Sequence, residues 1–207
     1  MQGTNFLKKK AVFLVANGFC EREFIQAHKA LTSIGINCRI VSVDSGLIQA
    51  WNEEKNTQES EWGAGYAPDA LLSDCIASEY DILVIPGGDR SIAKLKLSDK
   101  VNAFLSAFMH TDKPVVAYNK GLDLLSFCGM ISGYSVAAKH VICEDIKVSG
   151  ARCAPQEFIV SKNLISLSRF RDADQRIQHA VSCLLNGEPY VEKVVSSDNM
   201  PHPHKAA

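Results

Sequence analysis

A chain of 207 residues, 46% of them apolar, can bury the core of one ordinary globular domain and leaves little for a second. Its 22 basic and 23 acidic residues give a formal net charge of -1, with no basic block able to displace many phosphate counterions, which argues against nucleic acid as a partner. No apolar run approaches the roughly 20 residues that span a bilayer, and the apolar stretch after Lys8, Lys9 and Lys10 covers only 11–16 before Asn17, Gly18 and Phe19, so it is read as a first strand rather than a signal peptide and the protein as cytoplasmic.

Short β-branched runs alternate with helical patterns along the chain, the signature of a parallel sheet with helices on both faces. AVFLVA at 11–16 predicts the first strand, and 21–33 a helix in which Phe24, Ala27, His28 and Leu31 share a face and which Gly35 ends. CRIVSV at 38–43 is the next strand. Residues 44–66, rich in Glu, Gln, Asn and Gly, predict a hairpin or loop excursion pinned by Trp51 and Trp62, and 69–76 a short helix. DILVIP at 81–86 is apolar almost throughout, as a strand covered on both faces is, and it runs into Gly87 and Gly88.

Val101, Phe104, Leu105 and Phe108 make the stripe of a helix, and PVVAY at 114–118 the strand after it. Further on come a short strand at 135–138, a helix at 142–148 stopped by Gly150, paired strands EFIV and LISLS, and a last helix carrying Ile177, Val181, Leu184 and Leu185. Residues 1–187 are read as one domain. Residues 188–207, with three prolines and no periodicity, are read as a C-terminal tail or an arm on a partner subunit.

Seven cysteines, an odd count in a chain long enough to need no staples, are expected to be reduced. None stands two or three residues from another cysteine, and His202 and His204 fall in the tail, so neither metal nor cofactor is expected. Cys128, Cys143, Cys153 and Cys183 read as small core hydrophobes.

In parallel α/β sheets ligands bind beyond the carboxyl ends of the strands. Three polar clusters fall there: NGFCERE after the first strand, PGGDR after the central one, and YNKG inside KPVVAYNKGLDLL at 113–125. The last is a strand-to-helix junction of the kind that presents a nucleophile on a tight turn. Its tip is Asn119, a hydrogen-bonding group and a poor nucleophile.

With these motifs in this order the sequence resembles the ThiJ/PfpI superfamily, related in fold to class I glutamine amidotransferases, and most closely its PfpI-like intracellular protease/amidase branch, from about Ala11 to Gly187. The resemblance implies a flavodoxin-like three-layer α/β/α sandwich with a mainly parallel sheet, and self-association as a homodimer or larger. It implies that Glu23 is the acidic residue near the nucleophile and that Gly87 and Gly88 supply backbone donors to an oxyanion site. Asn119 then stands where the family has its cysteine, and Lys120 where a histidine is common. Relatives are cysteine-dependent amidases or proteases, deglycases or glyoxalases, and that chemistry is contradicted here.

Each residue also has a plainer reading. Glu23, in the first turn of a helix, can be a carboxylate held by the helix dipole, Gly87 and Gly88 only a turn, and Asn119 a helix cap. Lys120 at a helix N-terminus opposes the dipole unless it has a role or turns to solvent. Cys20 could replace the elbow nucleophile, although Glu21 and Glu23 would raise its pKa. His140 reads as an exposed loop residue or a group on the pocket rim. The leading reading is a non-catalytic, stress-related or regulatory protein whose Glu23, Gly87, Gly88, Asn119, Lys120 and His140 hold a small polar or anionic metabolite. The alternatives are a hydrolase acting through Cys20, a lyase or hydratase using Glu23 and Lys120, and a structural subunit of an oligomer.

Overall fold

The computed structural model describes residues 6–52, 62–169 and 172–192. In chain order the elements are β1 (Lys10–Val15), β2 (Phe19–Cys20), α1 (Glu21–Thr32), β3 (Asn37–Ser42), β4 (Ile48–Trp51), β5 (Trp62–Tyr66), β6 (Ala70–Leu71), β7 (Ile82–Ile85), α2 (Asp89–Leu95), α3 (Asp99–Met109), β8 (Val115–Tyr118), α4 (Asn119–Phe127), β9 (Ser135–Ala137), α5 (His140–Val148), β10 (Arg152–Ala154), β11 (Phe158–Ser161), β12 (Leu164–Leu167) and α6 (Ala173–Leu185). Seven strands form one sheet in the order β11-β12-β8-β7-β1-β3-β6. Every neighbouring pair is parallel except β11 with β12. Helices cover both faces of this mostly parallel sheet, as the alternation of patterns predicts, and the whole is the flavodoxin-like α/β/α sandwich that the resemblance implies.

The two-residue period of a strand sorts the core. Val12 and Leu14 of β1, Leu83 and Ile85 of β7 and Val115 and Ala117 of β8 point to the side covered by α2, α3, α4 and α5. Phe13 and Val15, Ile82 and Val84, and Val116 and Tyr118 point to the side covered by α1, α6 and the β4–β5 hairpin. Both sets are buried, so the central strands carry no polar alternation.

The excursion at 44–66 is a hairpin at its ends: β4 and β5 are antiparallel, with the Trp51 and Trp62 rings 5.2 Å apart at an edge-to-face angle. Residues 69–76 are not the expected helix. Ala70 and Leu71 instead pair with Val41 and Ser42 as the sheet's edge strand, followed by a single 3-10 turn at Leu72–Asp74. Asp69 sets that course, because its carboxylate accepts from the Ile40 N–H at 2.7 Å and from the Arg39 guanidinium at 2.8 Å. The seven residues of α2 carry only a short apolar repeat, Ile92 and Leu95, and were no part of the sequence expectation.

All seven cysteines are thiols outside any disulfide. No helix among the described residues is long and apolar enough to cross a membrane. Of the segment read as a tail, the first residues lie against α6, with the Tyr190 ring tilted against those of Phe158 and His179 and the Val191 carbonyl 3.1 Å from His179 Nε2. His202 and His204 lie outside the described residues.

The start of β1 is fixed to the start of β7 by one carboxylate. Asp81 accepts from Lys9 Nζ at 2.8 Å and from the Lys10 N–H at 2.9 Å. Partial burial pushes the Asp81 pKa up, but the two hydrogen bonds and the charges of Lys9 and Lys113 outweigh it and hold the group below its ordinary value. A depressed folded-state pKa stabilises above the unfolded value, and that contribution is lost as pH falls through the folded one. Replacing Asp81 with Asn is expected to cost up to about 1 kcal/mol at neutral pH for this half-exposed pair. The difference from wild type should shrink below about pH 4, where the unfolded carboxyl protonates. Urea unfolding of both proteins at neutral and acid pH measures this, and a gap of constant size would contradict it.

Candidate functional site

The chain leaves β1, passes through α1 to β3 on one side, and later returns to β7 on the other. The connections beyond the carboxyl ends of β1 and β7 therefore diverge and leave a crevice, the place where open α/β sheets take ligands. Three segments meet there: the first turn of α1, the glycine turn after β7, and the junction of β8 with α4.

Glu23 is only 3% exposed although it is charged, and its carboxylate joins the three. Oε2 accepts from the Gly87 N–H at 2.5 Å and Oε1 from Asn119 Nδ2 at 3.0 Å. Its place in the first turn of α1 adds the favourable end of the helix dipole. Beneath it Tyr118 is fully buried, and burial, then the neighbouring Glu23 charge, hold its phenol well above the ordinary pKa. The Tyr118 hydroxyl is thus a neutral group.

Two glycines let these segments approach. Gly88 has φ +105, and a Cβ on it would lie 2.5 Å from the Gly18 carbonyl oxygen. Gly121 lies in α4, where a Cβ would lie 2.4 Å from the carbonyl oxygen of Ile85, the last residue of β7. The backbone turn itself falls on Asn119, at φ +28. Asparagine tolerates positive φ better than most residues with a Cβ.

A cavity of about 280 Å³ opens above this junction. Glu23, Gly87, Gly88, Asn119 and Lys120, five of the residues singled out in the sequence, line it together with Asp89. Its far wall is Lys139, Val141 and Ile142 at the start of α5. Two expected residues are elsewhere. His140 is the first residue of α5 but is exposed and does not line the cavity, because successive helical side chains diverge by a large angle and Val141 and Ile142 take the wall. Cys20 ends β2, donates its N–H to the Gly87 carbonyl at 2.9 Å and is buried, outside the lining. Lys139 and Asp89 could be sought in the sequence only as charges next to a turn or a helix start. Nothing local marks Val141 and Ile142 as wall rather than core.

Among the described residues the lining holds no thiol and no hydroxyl. Lys120 Nζ pairs with Asp89 at 3.0 Å, and that Asp89 side chain is 71% exposed, so a ligand anion competes with a well-solvated partner. Lys139 adds a second cation, and α4 and α5 begin at the rim with the positive ends of their dipoles. Asn119 Oδ1 is buried and accepts no hydrogen bond among the described residues, leaving an acceptor for a donor group. Among the described residues Glu23 and Asp89 are the lining's only carboxylates, and no group of three or more His, Cys, Asp or Glu is placed to hold a metal. The arrangement suits a small anion that also carries a donor.

The DJ-1/PfpI family model matches residues 9–181. General stress protein 18 of Bacillus subtilis is 27% identical over 79% of this chain and 90% of its own length. Protein/nucleic acid deglycase 2 of Escherichia coli is 26% identical over 80% and 91%. Among solved structures, a ThiJ/PfpI domain protein from Brachyspira murdochii has a TM-score of 0.72 at 18% identity, covering 87% of this chain and 98% of that one. A two-domain protein from Anabaena variabilis with DJ-1/ThiJ/PfpI-like and ferritin-like domains has 0.71 at 23%, covering 88% and 50%.

The close approach at Gly121 has a measurable sign. In an ordinary helix Gly→Ala stabilises by up to about 1 kcal/mol. At this site the new methyl meets a backbone carbonyl, so Gly121→Ala is expected to destabilise by about 1–3 kcal/mol. Chemical denaturation decides it, and a raised midpoint would mean that α4 does not sit on the end of β7.

Proposed function

The chain belongs to the DJ-1/PfpI family, and from that premise we propose that it is a non-catalytic member that binds a small polar or anionic metabolite without thiol chemistry. The observation that carries the reading is Asn119 at the tip of the β8–α4 turn, its amide nitrogen bound to Glu23. An amide nitrogen shares its lone pair with its carbonyl, so the residue at the elbow orients and bonds and does not attack. The cavity supports binding: two lysines, two helix N-termini and an acceptor with no donor among the described residues surround it. An enzyme working through Cys20 has less support, since that thiol lies outside the lining. A lyase or hydratase using Glu23 and Lys120 would first have to disengage groups already bound to Gly87, Asn119 and Asp89. A purely structural subunit would be expected to fill the space with its own side chains.

The setting we propose is the cytoplasm, in a stress-related or regulatory role, for which the name of one relative, a general stress protein, is the support. Self-association as a homodimer is part of the same reading. Sedimentation is expected to give a species larger than the 22.6 kDa chain, and a single species of that mass at micromolar concentration would count against it.

The functional reading is tested at the elbow. Wild type is expected to show no thiol-dependent amidase, protease or glyoxalase activity and to be stabilised thermally by small carboxylate metabolites, by about 2.7 kcal/mol at a hundredfold excess over Kd. Changing both Lys120 and Lys139 to Ala should remove that stabilisation. Asn119→Cys combined with Lys120→His should create a thiol with a pKa well below the ordinary value of about 8.5, because it gains a helix N-terminus and an imidazole. Thiolate absorbance against pH and alkylation rates read it. A thiol titrating at the ordinary value would show the elbow unsuited to a nucleophile, and wild-type turnover abolished by Cys20→Ser would end the non-catalytic reading.

A further inference from the structure

Away from the elbow, two thiols lie together where α5 meets β10. Cys143 is in the first half of α5 and Cys153 is the middle residue of β10. Cys153 Sγ is 3.7 Å from the Cys143 carbonyl oxygen, and Cys143 Sγ is 3.7 Å from the Ala138 carbonyl oxygen. Both residues are half-buried, so a small oxidant can reach them. Elsewhere Cys38 Sγ lies 3.8 Å from the Ile36 carbonyl oxygen, Cys75 meets the Tyr80 hydroxyl and Cys183 the His179 ring, and none of these three contacts is with another cysteine.

We propose that Cys143 and Cys153 are a redox modification site, closing a reversible disulfide within the chain on exposure to a peroxide. The two thiols have unequal roles. Burial, the hydrogen bond with Cys143 and the Cys143 charge push the Cys153 thiol up to about 12, against the opposing charge of Lys147. Lys147, one turn beyond Cys143, is ion-paired with Glu144 at 2.8 Å and feels both sulfurs; a cation there favours a thiolate. Cys143, on the helix that carries this cation, is assigned the first attack, and Cys153, whose thiol is pushed up, the second step.

In the first step the Cys143 thiolate attacks one oxygen of hydrogen peroxide. The O–O bond breaks, Cys143 becomes a sulfenic acid, and hydroxide leaves and is protonated to water. In the second, the Cys153 sulfur attacks the sulfenic sulfur, the S–O bond breaks, and the oxygen leaves as water with the Cys153 proton. Two thiols lose two electrons and two protons, and one peroxide is reduced to two waters. A thiol reductant reverses the bond by exchange. Val141 and Ile142 of the same helix wall the cavity, so the site adjoins the candidate pocket without using any of its residues, and its test is independent of the binding reading.

The full chain is treated with hydrogen peroxide at neutral pH, alkylated with iodoacetamide and digested with trypsin. Cleavage at Lys139, Lys147, Arg152 and Lys162 places the two cysteines in peptides 140–147 and 153–162. The expected result is a loss of two of the seven alkylatable thiols, a cross-linked pair of those two peptides, and recovery of both thiols with dithiothreitol. In Cys153→Ser the cross-link should vanish and dimedone should trap a sulfenic acid at Cys143. Seven alkylated thiols after treatment, cross-links to other cysteines, or separate sulfinic acids at the two positions would each overturn the proposal. The wild-type peptide map decides it alone if the variant does not fold.

Discussion

The candidate site depends on where the Glu23 charge is kept. A carboxylate removed from water is costly unless donors replace its hydration, and here the donors come from two remote segments, the Gly87 N–H and the Asn119 amide. The same pair of bonds that makes the burial tolerable also ties α1 to the turn after β7 and to the start of α4. Removing the carboxyl group would leave a buried amide and a buried N–H without their acceptor. Removing the amide would leave a buried charge with one donor fewer.

This coupling explains why the fold was legible in the sequence and the site only in part. Strands β1, β7 and β8 are covered on both faces and therefore appear as unbroken apolar runs, and the stripes of α1, α3 and α6 are long enough to carry a period. Residues 69–76 form an edge strand in place of the expected helix because Ala70 and Leu71 gain their partners from β3, through a carboxylate whose acceptor role no local pattern reveals. Helix α2 leaves no mark in the sequence because seven residues with two apolar positions give no usable period.

The site divides along the same line. Glu23, the glycine pair and Asn119 stand at strand ends, where topology makes polar residues informative. The bond between Glu23 and Asn119 joins residues 96 apart, and no spacing rule links them. Lys139 and the apolar wall of α5 reach the cavity only because β9, paired with β10 and held to β12 by the Ser166 hydroxyl accepting from the Ala137 N–H at 2.9 Å, starts the following helix at the rim. A choice between His140 and its neighbours requires the helical phase, and the sequence left that phase undefined by two residues.

Asparagine at the elbow also bears on what the turn is for. The tip has φ +28, a region costly for most side chains and least so for asparagine among residues with a Cβ. The helix behind the tip can sit this close to β7 only because residue 121 is glycine. A junction retained merely as chain connection would have no need of a positive φ, a helix pressed onto a strand end, and an oriented amide together. The first two align the backbone at the start of α4 with the cavity, and they do so whichever side chain stands at the tip. Asn119 keeps that geometry at low conformational cost and supplies the donor that the buried carboxylate requires, which accounts for the retention of the turn in a protein read as a binder.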